Sequence, residues 1–156
     1  MIILILMLLP LIACSKGEEE EGQTGEIGEV IFHDSVLGDE EITLLSVSEA
    51  PEYEGEKPEL DVFIIVEVSF ENVSEEPILQ INQPSKMALN STDYAFHGNE
   101  YTSEYLNPGD TVTDTVIFDV KKSEEYRLDY NFGLFKRLNI TWFFDDEDFV
   151  KTSIDE

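Results

Sequence analysis

Positive charge is what this sequence has least of. Its 156 residues carry 9 Lys and Arg against 35 Asp and Glu, a formal net charge of −26. Such a chain repels nucleic-acid phosphates and anionic surfaces, so no nucleic-acid partner is expected. Cysteine is almost missing as well. With a single Cys no disulfide can form within the chain, and a domain of this size must rely on its apolar core. No stretch keeps a 3.6-residue apolar period, which argues against helices. The apolar stretch Met1 to Ala13 would make a helix of only about 20 Å, too short for a hydrocarbon layer about 30 Å thick.

What is present begins with that leader. MIILILMLLPLIA is uncharged and reads as the apolar segment of a secretion signal. It runs into Leu11-Ile12-Ala13-Cys14-Ser15, which resembles the lipobox of bacterial lipoproteins. The resemblance implies that residues 1–13 are removed and that Cys14 is acylated. The acyl chains then hold the protein to a lipid bilayer, at about 0.8 kcal/mol per buried CH₂. The leader departs from the usual pattern in having no Lys or Arg before its apolar run. Residues 14–28 follow as an acidic Gly/Glu-rich tether, KGEEEEGQTGEIG after Ser15, in which consecutive like charges repel and extend the chain.

From Glu29 the pattern changes. Hydrophobic residues make up 42% of the chain and aromatic ones 11%, too many for a disordered acidic polymer. In Asp61 to Asn72, DVFIIVEVSFEN, residues Val62, Ile64, Val66, Val68 and Phe70 share one face. Phe63 and Ile65 add a second apolar face early in the run, as in a central strand buried on both sides. Thr111 to Val120 and Leu138 to Phe144 alternate in the same way. Weaker runs lie at Val30 to Val36, Glu41 to Ser48, Pro77 to Ile81, Lys86 to Asn90, Tyr94 to His97 and Tyr126 to Phe132. Turn signals separate them, including Glu54-Gly55 and Asn107-Pro108-Gly109-Asp110; the latter has Pro and Gly where a type II turn requires them. Many short strands at this spacing indicate an all-β sandwich over residues 29–145, with 146–156 as an acidic C-terminal tail. The expected core holds Val66, Val68, Phe70, Val116, Phe118, Ile140 and Trp142.

The segments Val66 to Pro77, with their Glu-Val-Ser-Phe-Glu-Asn core, and Leu106 to Leu128, where a Pro-Gly turn leads into Val-Ile-Phe-Asp-Val and then Tyr-Arg-Leu, carry a resemblance. The chain is similar to the DUF4352 family of lipoproteins over roughly residues 26–145. The resemblance implies an immunoglobulin-like antiparallel β-sandwich and brings no common activity with it.

Chemistry-bearing residues are few. His33 and His97, with Met87 or an Asp as a third ligand, are the candidates for a transition-metal site, but no ligand spacing such as His-x-His supports one. Asp145-Asp146-Glu147-Asp148, helped by acids between Glu49 and Asp61, would offer oxygen ligands to calcium, without the EF-hand pattern. No nucleophile elbow marks a catalytic Ser, and paired carboxylates for glycosidase work do not stand out among 35 acids. Asn72, Asn90 and Asn139 begin glycosylation sequons. Tyr94, Phe96, Tyr101 and Tyr105 lie in a polar stretch and are candidates for partner contact or simple packing.

The expectation is a lipid-anchored extracytoplasmic protein that is not an enzyme, needs no cofactor, and binds an envelope or extracellular protein. The alternatives are a calcium- or small-ligand-binding surface lipoprotein and a structural spacer.

Overall fold

The computed structural model describes residues 22–35, 38–79, 87–93, 96–97, 105–132 and 138–150. The expected signal segment, Cys14, Tyr94, Tyr101 and the final residues lie outside the described residues. In chain order the strands are β1 Gly22–Gly25, β2 Val30–Ser35, β3 Gly38–Ala50, β4 Val62–Asn72, β5 Ile78–Leu79, β6 Met87–Leu89, β7 Thr92–Asp93, β8 Phe96–His97, β9 Tyr105–Leu106, β10 Thr111–Val120, β11 Tyr126–Phe132 and β12 Leu138–Phe144.

They form two five-stranded sheets. One has the order β1-β12-β11-β6-β7 and the other β2-β3-β4-β10-β8; β5 and β9 make a separate two-stranded ribbon. All pairings are antiparallel except β1 on β12. The sheets close on one core, as in the expected sandwich. Val66, Val68, Phe70, Val116 and Phe118 come from one sheet and Leu89, Leu128, Tyr130, Ile140 and Trp142 from the other. The rings of Phe70 and Tyr130 meet across the interface with centroids 6.0 Å apart. All seven expected core residues are buried.

Alternation explains the strands. In β10, Val116, Phe118 and Val120 turn inward, while Thr113, Thr115 and Asp119 face out. β4 is central in its sheet, and its beginning is buried on both faces: Phe63 is buried outside the sandwich core, as is Ile117 of β10. The loop leading into β4 is pinned at this end of the outer face. The Asp119 carboxylate accepts bonds from the Glu59 and Leu60 amides at 2.7 and 3.0 Å. The turn at Asn107 is as expected: Gly109 has φ +81, and the Asp110 amide donates to the Asn107 carbonyl at 2.9 Å.

Three features differ from the sequence reading. First, the domain starts earlier than residue 29. Gly22–Gly25, inside the expected tether, adds to the edge of β12 in parallel, from Gly22 opposite Asn139 to Gly25 opposite Trp142. Gly25 permits this, since a Cβ there would sit 2.5 Å from the Trp142 indole nitrogen and 2.6 Å from Ile31. Second, the expected acidic tail is folded as far as Val150. Phe149 packs on Tyr126 and Phe144, and the Val150 amide bonds to the Val47 carbonyl of the opposite sheet at 2.9 Å. Third, β3 carries a bulge between Leu44 and Ser46, which leaves Leu45 exposed; the Gly28 amide takes up the Leu44 carbonyl at 2.8 Å.

Candidate interaction surface

The fold keeps the candidate metal ligands apart. His33 is on β2 and His97 on β8, the two opposite edges of one sheet, so four strand spacings of about 4.8 Å separate their backbones. Met87 is buried in the other sheet. Among the described residues no group of three or more His, Cys, Asp or Glu side chains is arranged to hold a metal ion.

His33 instead packs inward against its cross-strand neighbour Glu40, with Nδ1 3.6 Å from Oε2 and both side chains buried. Glu40 is in turn opposite Asn72 of β4, so three polar residues make one inward row at this end of the sandwich. Asn72 is fully buried. Its Nδ2 donates to the carbonyls of Glu76 and Leu106 at 2.9 and 2.8 Å, and its Oδ1 accepts from the Ser74 amide at 2.9 Å. That use of the amide leaves no substrate for glycosylation in the sequon Asn72-Val73-Ser74. Asn90, at φ 48, is exposed and accepts the Arg127 amide at 2.9 Å. Asn139 is half-buried in β12.

The run Asp145-Asp146-Glu147-Asp148 is a tight turn, not an open ligand loop. Asp148 accepts the Asp145 amide at 3.0 Å, and Asp145 accepts the Glu147 amide at 2.8 Å. The acids between Glu49 and Asp61 also have structural work. Tyr53 and Glu56 exchange two backbone bonds of 2.9 Å around Glu54-Gly55, and Glu49 holds Lys122 at 2.9 Å. This contact raises the pKa of Lys122 above its ordinary 10.5, chiefly by the hydrogen bond to the carboxylate.

Of the aromatic candidates, Tyr105 lies in β9 and is 65% exposed. Phe96 is in β8, opposite Ile117.

The feature that sequence reasoning missed is the margin of the β2 sheet. An edge strand presents backbone groups to any chain that can pair with it, and proteins usually blunt such edges. Three of the four edges here are short: β7 and β8 have 2 residues each, and β1 has 4, two of them Gly. The fourth, β2, runs for 6 residues in unbroken register with β3. It contains no Pro, Lys or bulge. No strand among the described residues pairs with it on the side away from β3. Ile31 and His33 point into the sandwich, while Val30 and Phe32 stand outside at 54% and 53% exposure. Acids surround them: Glu29 and Asp34 along the chain, Glu41 opposite Phe32, and Asp39 opposite Asp34. The sequence marks Val30 to Val36 as a candidate strand without telling which of its three leading apolar side chains face out. Its position at a sheet edge depends on which strands pair, which the sequence does not state.

Residues 33–140, well over half the chain, match the sequence profile of a domain of unknown function, DUF4352. No curated protein sequence matches the chain significantly. Among solved structures it is similar to ycdA of Bacillus subtilis, a protein assigned as a lipoprotein, with a TM-score of 0.53 and 18% identity. That match covers 75% of this chain but only 39% of ycdA. It is also similar to MPT63, a secreted protein from Mycobacterium tuberculosis, with a TM-score of 0.56 and 11% identity over 76% of this chain and 95% of that one. Likeness at these identities establishes the sandwich fold.

Proposed function

We infer that this chain, which belongs to the DUF4352 family, works outside the cytoplasm as a lipid-anchored, non-catalytic interaction module. The observation that carries the binding part is the exposed apolar pair Val30 and Phe32 on the edge strand β2. A domain serving only as a spacer gains nothing from exposed apolar side chains on an edge strand. The address is supported by the apolar leader and by the Leu-Ile-Ala-Cys run ending at Cys14. It agrees with the secreted or lipoprotein character named for the two structural relatives.

Between Cys14 and β1 lie residues 15–21, which span at most about 25 Å when extended. The anchor therefore keeps the domain close to the bilayer. A short tether confines the domain to a thin layer, where even a weak partner contact gains from high effective concentration. The test is fractionation with radiolabelled palmitate. Wild-type protein should take up label and sediment with membranes, while Cys14→Ser should carry no label and appear as a soluble or unprocessed form. Equal membrane association of a signal-cleaved Cys14→Ser protein would overturn the anchor.

A further inference from the structure

We propose that the end of the sandwich from which the tether leaves is a footing on the bilayer, where Phe32, Val73 and Tyr105 settle among zwitterionic lipid headgroups. This rests on the lipid-anchored reading and names the lipid surface as the partner of the apolar pair on β2.

Two contacts across the core fix which ends of the two sheets coincide. Phe70 meets Tyr130, and Phe149 packs on Tyr126 while the next amide, of Val150, bonds to the Val47 carbonyl. Val47 is opposite Val66, so β4 from Val66 to Phe70 runs alongside β11 from Tyr126 to Tyr130. Asn72 and Phe132 therefore mark one and the same end. β1 runs parallel to β12 from Gly22 at Asn139 to Gly25 at Trp142, and Leu138 is opposite Phe132. The chain before Gly22 thus leaves toward that end. Only residues 26–29 separate β1 from β2, so it leaves at the corner beside β2.

Exposed apolar side chains gather there. Phe32 stands on β2 shortly before Ser35, which is opposite Gly38 at the tip of the β2–β3 pair. Val73 follows Asn72 and bonds through its amide to the Asp39 carbonyl near the same tip. Tyr105 of β9 precedes Leu106, whose carbonyl accepts from the Asn72 side chain. Val30 continues the strip along β2. The other large exposed apolar side chains are spread over the bulge, the far end and the outside of the other sheet, at Leu45, Leu60, Phe143 and Val150.

The length of the tether decides the occupant. Residues 15–21 hold this end within about 25 Å of the acylated Cys14. A folded partner the size of a small domain, about 30 Å across, does not fit into that gap, whereas the lipid surface is already there. Tyr suits the headgroup level, with an apolar ring and a polar tip, and Phe and Val gain by leaving water. Few side chains suffice, because the anchor has already brought the domain to the surface. Charge then selects the lipid. A chain carrying −26 is repelled by anionic headgroups and accepted by zwitterionic ones.

The test places the mature lipidated chain in vesicles of phosphatidylcholine. A thiol-reactive fluorophore is attached at Glu75→Cys, at the tether end, or at Lys57→Cys, at the far end; both positions are exposed and neither is part of the patch. Lipids spin-labelled at the headgroup should quench the Glu75→Cys probe severalfold more than the Lys57→Cys probe. The difference should persist when about twenty Gly and Ser residues, a flexible extension, are inserted after Glu21. In that long-tethered chain Phe32→Ser/Tyr105→Ser should lose the quenching. It should still float with the vesicles and melt with the wild type, since both side chains are exposed. Equal quenching of the two probes would overturn the footing. So would quenching that survives the double substitution on the long tether, or equal or stronger quenching in an equal mixture with phosphatidylglycerol.

Flotation separates this idea from the reading beneath it. A lipidated chain that floats without quenching at Glu75→Cys keeps the anchor and loses the footing. A chain that takes up no palmitate and does not float removes both.

Discussion

Asn72 is the side chain whose loss should be felt most widely for its size. It lies at the end of β4 and ties that strand to two loops and to β9. Its Nδ2 donates to the carbonyls of Glu76 and Leu106, its Oδ1 accepts the Ser74 amide, and its backbone bonds with Gly109 and Asp110 across the next turn. Asn72→Ala removes four side-chain bonds, the fourth from the Ser74 hydroxyl to Oδ1 at 2.6 Å, and takes a partner from two carbonyls, one amide and one hydroxyl. At about 1 kcal/mol for each bond, the loss is about 4 kcal/mol. For a domain of this size that corresponds to a fall in melting temperature of about 16 °C. Trp142 is the only tryptophan and is fully buried, so its emission reports unfolding of the core directly. Asn72→Asp keeps the shape but turns a donor into an acceptor facing two carbonyls. Burial raises the folded pKa of the new carboxyl above the unfolded value of about 3.9. Folding then favours the protonated form, so the variant should be nearest to wild type below pH 4 and lose stability as pH rises from there. A loss below about 1 kcal/mol for Asn72→Ala, or a pH-independent deficit for Asn72→Asp, would refute the argument.

Other substitutions test other joints of the fold. Gly25→Ala should release β1 from β12, because its methyl would collide with Trp142 and Ile31; faster amide exchange over residues 22–25 with the core still protected would show it. Phe118→Ala, in the centre of the core, should cost about 3–5 kcal/mol in urea unfolding. Glu49→Gln should bring the Lys122 amine back toward its ordinary 10.5 in an NMR titration. The sign is that of a raised lysine: the small stabilisation is complete below the unfolded value and fades as pH climbs through the folded one.

The strands that could be read from the sequence are those whose burial follows strict alternation. β4, β10 and β12 each present an apolar face of at least three side chains, and Tyr126 to Phe132 was bounded correctly because Tyr126, Leu128 and Tyr130 keep phase through a polar context. β1 was not legible. GQTG has neither apolar period nor β-branched bulk, and it is a strand only because a glycine can approach Trp142 and a parallel ladder is available there. Phe149 and Val150 were hidden among acids for a similar reason: one aromatic side chain finds the rings of Tyr126 and Phe144, and the next amide bonds to Val47 of the opposite sheet. Asp114 falls on the apolar face of β10 and is buried, which alternation alone predicts and charge alone denies. The β2 edge lay beyond sequence reasoning because an edge is a property of sheet order.

The same limit applies to the charge, and there a final prediction decides between two uses of it. Some carboxylates hold backbone. Asp119 binds the Glu59 and Leu60 amides, Asp61 the Lys122 amide, Asp110 the Asn107 amide, and Asp145 and Asp148 close their own turn. These roles account for acids at chosen positions and need no cation. The ion pairs Lys122–Glu49 and Arg127–Asp129 lie at the surface, where such pairs contribute little. Nine basic side chains cannot offset 35 acidic ones, so most of the −26 remains as mutual repulsion that folding increases. Salt should relieve it, since the Debye length falls from about 30 Å at 0.01 M to about 3 Å at 1 M. The melting temperature is therefore expected to rise gradually with NaCl alone. Calcium at matched ionic strength should add nothing that saturates, because the Asp145 and Asp148 carboxylates already bond to amides of their own turn. A steep, saturable rise at low calcium concentration, reversed by a chelator and not reproduced by sodium, would show that a dedicated site organises these acids and that screening is not their main effect.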